Sequence, residues 1–166
     1  DGMACFTVIV GYYEVWVEEG SVMFMHKAIQ MPDPDQALPG RDTPMPVPDA
    51  HFVNGNPLAP PFADGLEQAL FGLGCFWGAE RIFWQAPGVF TTAVGYAAGF
   101  TPHPTYQEVC SGNSGHVEAI QVRYDPRQVS YQALLDVFWR HVDPTDGGGQ
   151  FVDRGPQYRT VIFTHS

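Results

Sequence analysis

The sequence predicts an α+β protein, a two-layer sandwich with a ferredoxin-like β-α-β-β-α-β core and a mixed sheet. Three observations carry this reading. Four β-prone segments fall between Glu67 and Ser166. Segments with apolar residues at helical spacing separate the first strand from the second and the third from the fourth. The second and third strands are joined by a Gly/Pro-rich loop and one short helix.

A chain of 166 residues suits one domain with a sizeable core, and 45% apolar content argues against global disorder. Charge is uneven. Residues 1–66 hold nine acidic and two basic residues, a balance of −7, while residues 67–166 hold nine and six, a balance of −3. No basic cluster suggests nucleic acid as a partner. No run approaches the roughly 18 apolar residues of a membrane-spanning helix, and the N-terminus lacks the pattern of a signal peptide. Cys5, Cys75 and Cys110 form no disulfide framework. An odd count of cysteines fits a reducing compartment, hence the cytoplasm.

The chain divides into three. Residues 1–31 are an unassigned N-terminal segment. Cys5–Val10 and Tyr12–Val17 are β-prone runs broken at Gly11, which could pair as a hairpin; a start assigned too far upstream is an equal account. Residues 32–66 form a Pro-rich extended arm: nine of the 15 prolines lie in 32–61, too many for a regular element. Residues 67–166 carry the regular pattern. Gln68–Leu73 is an apolar strand. Trp77–Gln85 is a helix stopped by Ala86-Pro87-Gly88. Val89–Tyr96 is the second strand. A loop at Ala97–Pro104 leads to a short helix at Thr105–Cys110. His116–Tyr124 alternates, with Glu118, Ile120, Val122 and Tyr124 on one side. Ser130 N-caps a helix running through Arg140, whose Leu134, Leu135, Val137 and Phe138 form an apolar face. A long loop spans Val142–Pro156, and Tyr158–Thr164 is the last strand.

Cys75 stands where the first strand becomes the first helix, in Gly72-Leu73-Gly74-Cys75-Phe76-Trp77-Gly78-Ala79-Glu80. A cysteine in an apolar setting is more often a small buried hydrophobe. Its position makes the difference. Free N–H groups and the positive end of a helix stabilise an anion, so the thiol pKa is expected to fall and the reactive thiolate to form. Phe76 and Trp77 set two aromatic faces beside the sulfur. Glu118 shares its face with Ile120 and Val122, so it is expected to be buried, with a raised pKa that keeps it protonated as an acid must be. Tyr106 and Tyr158 are candidate hydroxyl donors, although a lone tyrosine is more often core or surface. Cys110, in an apolar helical setting, reads as buried and inert. His103, Cys110 and His116 match no structural zinc spacing, and His116 reads as structural.

The stretch around Cys75 resembles the signature of the peptide methionine sulfoxide reductase A family. Further segments match it in order: VGYAAGF, HPTYQEVCSGNSGHVEAIQVRYDP, LLDVFWRHVDPTD and DRGPQYRTVIF. Ala37 to Val47 resembles the N-terminal arm of longer members. The resemblance implies an oxidoreductase of protein repair, reducing the S-epimer of methionine sulfoxide, free or peptide-bound, through a Cys75 sulfenic acid. It implies Cys75 as nucleophile, Glu118 as acid, Tyr106, Tyr158 and Asp153 around the sulfoxide oxygen, and Phe76 and Trp77 around the substrate methyl. It implies no metal or other cofactor, with thioredoxin or another thiol as reductant and a monomer as the working unit.

Two departures stand out. The family's Asn-His-Asp is here His141-Val142-Asp143, and its Gly-Asn-Asp is Phe151-Val152-Asp153. Members also continue for tens of residues beyond this point, often with resolving cysteines, so residues 67–166 read as a C-terminally truncated catalytic domain. The rival expectation is a truncated, non-catalytic remnant that binds oxidised or apolar peptide segments.

Overall fold

The computed structural model describes residues 7–9 and 31–164. The elements run β1 (Thr7–Ile9), β2 (Glu67–Leu73), α1 (Phe76–Trp84), β3 (Val89–Ala97), α2 (Tyr106–Cys110), β4 (Val117–Tyr124), α3 (Tyr131–Trp139), β5 (Gly149–Gln150), β6 (Asp153–Arg154) and β7 (Thr160–Phe163). The fold is α+β. Five strands make one sheet in the order β1-β3-β4-β2-β7, and β5 and β6 make a separate hairpin.

The expected mixed sheet is not found: every pairing in the five-stranded sheet is antiparallel. The reason lies in the crossovers. β2 and β3 run the same way through α1, but β4 lies between them. β4 and β7 run the same way through α3, but β2 lies between them. Each crossover spans one strand, so parallel strands never become neighbours.

Local chemistry sets the boundaries. Ser130 caps α3 by accepting from the Ala133 N–H at 3.2 Å. Thr105 and Glu108 close a reciprocal capping box on α2. Pro87 cannot extend α1. Gly88 follows at φ +88°, where a Cβ would meet Val129 Cγ1 at 2.8 Å. The last strand starts at Thr160, and Tyr158 instead closes a 3-10 turn begun by Pro156. The expected loop before it contains the β5–β6 hairpin.

Both long helices pack on one sheet face. Phe71 of β2 is the centre. Its ring stacks on Phe83 of α1 at 5.2 Å and meets Phe138 of α3 at 5.4 Å. Ile120, Val122 and Leu134 complete this core. The register Phe71↔Ile120 sets Glu118 on the same face, at the end of β4 nearest the start of α1. Burying such large side chains contributes about 1.5–3 kcal/mol each.

The arm, from residue 31 to residue 66, is mostly irregular and is tied down by hydrogen bonds. The Arg41 N–H donates to Pro102 O at 3.0 Å, and Arg41 Nε donates to His103 O at 2.8 Å. His51 is buried against α1 and β3. Its Nδ1 accepts from the Val53 and Asn54 N–H groups, so its proton sits on Nε2, which faces Thr92 Oγ1 at 3.0 Å. Thr92 in turn donates to Glu80 at 2.9 Å. Of the hairpin expected near the N-terminus, Thr7–Ile9 pairs with Val94–Tyr96 of β3. Its remainder lies outside the described residues. No helix among the described residues is long and apolar enough to cross a membrane.

Candidate active site

Cys75 is the N-cap of α1, in extended conformation, with a side chain that makes no cap hydrogen bond. Gly74 precedes it at φ +90°, where a Cβ would meet Gln150 Cβ at 2.9 Å. The thiol is partly exposed and free. Its expected fall in pKa does not occur. Burial pushes the thiol above its ordinary value. The Trp77 and Gly78 N–H groups pull it down, but less strongly. The negative charges of Glu118 and Asp153 push it further up. Two carboxyl groups near the sulfur therefore oppose the thiolate that the helix end favours.

Glu118 is 2% exposed. Its Oε2 accepts the Phe76 N–H at 2.9 Å, so it occupies one of the unpaired donors at the start of α1. This joins the acid candidate to the residue beside the candidate nucleophile, Cys75. A charge on Glu118 would raise the pKa of Cys75, Tyr96, Tyr106 and Tyr158 alike.

Tyr158 is half-buried. Burial first, then the charge of Glu118, pushes its hydroxyl up to about 12. Tyr106 stands at the start of α2, held by the capping box, and is 51% exposed. Its hydroxyl is bonded to the Cys110 thiol, the main reason its pKa lies well above the tyrosine range. Both hydroxyls thus keep their protons at neutral pH and can donate. Cys110 is not fully buried as expected. It is partly exposed, one helical turn beyond Tyr106.

Asp153 lies in β6, and with Cys75 and Trp77 it lines a cavity of about 470 Å³. Phe151 and His141 also line it. Trp77 is half-exposed. Phe76 is buried instead, stacked on Tyr96 at 5.7 Å, and is not part of the cavity wall. His116 is buried against Gly99, where a Cβ would lie 1.9 Å from its Nδ1. Burial holds its pKa down to about 4, so it is neutral at pH 7.

Two contributors were not singled out from the sequence. Tyr96 lies directly across from Glu118 in the β3–β4 register. It is wholly buried, its hydroxyl has no hydrogen-bond partner among the described residues, and burial beside Glu118 raises its pKa strongly. Only strand register reveals it. Gln150 is the other. It accepts from the Asp143 N–H at 2.7 Å and donates to Asp143 O at 2.9 Å, fixing the hairpin against the preceding loop. Among the described residues, no group of three or more His, Cys, Asp or Glu could hold a metal ion.

A family model described as peptide methionine sulfoxide reductase matches residues 67–166. The chain is 64% identical over 140 residues to peptide methionine sulfoxide reductase MsrA 1 of Synechocystis, covering 84% of this chain and 63% of that protein. It is 62% identical over 138 residues to MsrA of Pseudomonas aeruginosa, covering 83% and 64%. Among solved structures, methionine sulfoxide reductase A of Corynebacterium diphtheriae matches with a TM-score of 0.76 at 41% identity, over 82% of this chain and 64% of that one. The chain thus spans somewhat under two thirds of the length of these relatives. With a cysteine at a strand-to-helix junction, a buried carboxyl on the neighbouring N–H and a family match across all of β2 to β7, the chain belongs to the peptide methionine sulfoxide reductase A family.

Proposed function

We propose that this chain reduces methionine sulfoxide, free or within peptides, to methionine, with the S-epimer as substrate. The observation that carries the reading is the 2.9 Å bond from the Phe76 N–H to Glu118. It holds a proton-carrying group beside the nucleophile at the start of α1. Burial disfavours the charged carboxyl, so Glu118 can hold a proton for the sulfoxide oxygen. Tyr106 and Tyr158 donate to that oxygen, with Asp153 orienting the groups around it. Trp77 gives the S-methyl an apolar surface, and Phe76, buried on Tyr96, supports the start of α1 from behind.

The step balances without a cofactor. Cys75 sulfur attacks the sulfoxide sulfur, and the S–O bond of the substrate breaks. The oxygen and one proton end on Cys75 as a sulfenic acid, and methionine leaves. Methionine sulfur gains two electrons and Cys75 sulfur loses two. An external thiol then displaces water from the sulfenic acid as a mixed disulfide. A second thiol frees Cys75 and leaves as the disulfide. Thioredoxin or a small thiol is the proposed reductant, a monomer the proposed working unit, and the cytoplasm, where thiols stay reduced, the proposed compartment.

A single-turnover experiment tests this. The protein is mixed with methionine S-sulfoxide in the absence of reductant, and methionine and remaining thiols are counted. The expected yield is about one methionine per chain with loss of one thiol. Loss of two thiols would identify a second cysteine as the partner of Cys75. Folded protein that yields no methionine overturns the reading in favour of a non-catalytic, peptide-binding role.

A further inference from the structure

The β5–β6 hairpin turns through Phe151 and Val152. Phe151 has φ +51°, and Val152 is not in the left-handed region. A two-residue turn of this kind favours glycine at its first position, because any side chain there is strained. Here the position holds a phenylalanine that is 69% exposed, followed by a valine that is 89% exposed. The tip is also fixed in place. Gln150 is clamped to Asp143, and Arg154 forms an ion pair with Asp146. A costly backbone conformation thus holds a large apolar side chain out from a rigid turn.

Phe151 points to a use for that cost. It lines the same cavity as Cys75, and so does Trp77, itself half-exposed. At about 470 Å³ the cavity is in the range that accepts a ligand with more than one side chain. The apolar rim is therefore continuous with the cavity that Cys75 and Asp153 line. Asp153 lines the same cavity, and its carboxylate disfavours an acidic residue in that space.

We infer that Phe151, supported by Val152, is a specificity-determining subsite that takes an apolar side chain adjacent to methionine sulfoxide in a peptide or unfolded chain. The inference rests on the sulfoxide reductase reading above. It assigns the preferred substrates as oxidised methionines in apolar sequence, in place of the free amino acid.

The test compares kcat/KM, with dithiothreitol as reductant, for three substrates: free methionine sulfoxide, a blocked pentapeptide with Leu on both sides of the sulfoxide, and the same peptide with Ser. The wild type is expected to favour the Leu peptide over the Ser peptide by about tenfold, the effect of burying roughly half an aromatic side chain. In Phe151→Gly the Leu-to-Ser ratio is expected to fall to about twofold, chiefly through KM. Val152→Ser, away from the strained position, should lower the ratio less. Dividing by each protein's rate on the free amino acid removes any general loss. An unchanged ratio in both variants, with the free amino acid still reduced by the wild type, overturns the inference and leaves the activity standing. If the wild type reduces nothing, the activity falls and the subsite with it. Dimers that Phe151→Gly dissolves, with an unchanged ratio, would overturn it by showing that a second copy of the chain covers the tip.

Discussion

The two sides of the site are built differently. On one side, Cys75 and Glu118 sit on β2, α1 and β4, within the sheet and under its helices. Their partners are backbone groups and buried rings, and a cross-strand neighbour, Tyr96, backs Glu118. On the other side, Asp153 and Phe151 belong to a hairpin of two-residue strands whose tip is solvent-exposed. The first side holds the reacting groups with little freedom to change. The second reaches the same cavity with residues whose substitution costs the fold little. In the proposed reading the nucleophile and the acid thus lie on the deep side, and the subsite, with Asp153, on the shallow one.

That contrast can be broken from its deep side first. Cys75→Ser is expected to lower methionine formation by about 10³-fold or more, because serine is a poor nucleophile without a base; the single-turnover yield checks it. Glu118→Gln should slow the chemical step by about 10²- to 10⁴-fold, the range of a lost general acid. The same variant sharpens the electrostatic reading. The wild-type rate of Cys75 alkylation should rise with pH around a midpoint above that of an ordinary thiol. Glu118→Gln should shift that midpoint down, since a negative charge has left the sulfur's surroundings. A midpoint that stays put would mean that Glu118 keeps its proton while the thiol titrates, and that burial and Asp153 raise the pKa.

Phe138→Ala, behind the same wall, should cost about 3–5 kcal/mol of stability, read as a lower midpoint in urea. His116 gives the deep side an acid limit. Its folded pKa is about 4, against 6.5 ordinarily, so the unfolded chain takes up the proton first. Its stabilising share is intact above about pH 6.5 and is lost as pH falls toward about 4, up to about 3 kcal/mol. Unfolding at pH 7 and pH 4.5, with His116→Gln as reference, measures it. The smallest effect belongs to the shallow side. Phe151→Gly should leave stability within about 1 kcal/mol of the wild type, in the stabilising direction. Relief of the left-handed strain outweighs the added freedom of the unfolded chain. A large loss there would mean that the tip supports the fold.

Much of the deep side was legible in the residues. The apolar run into Cys75 and the helical spacing after it located the junction. The alternation of β4 assigned Glu118 to the face shared with Ile120 and Val122, and that face is the buried one. Ser130 capped the helix it was expected to cap. Other features could not be read this way. Tyr96 joins the site only because β3 and β4 pair in one register. Cys75 was expected to be acidified by the helix end, but burial, together with neighbours contributed from 43 and 78 positions away, reverses the sign. Phe151 looked like a change of loop shape and is instead an exposed hairpin tip that lines the same cavity as Cys75.

From the sequence alone came the elements themselves, the candidate nucleophile at a strand-to-helix junction, the face of Glu118 and the family. These rest on short-range rules of periodicity, capping and turn chemistry, which act over a few residues. The tertiary structure alone decided which strands are neighbours, and hence that the sheet is antiparallel throughout. It also decided which hydroxyls gather around Glu118, how far the Cys75 thiol is desolvated, and what lines the cavity. Those depend on groups distant in sequence meeting in a medium from which water is excluded. There, burial and nearby charge outweigh the local preference of any single residue.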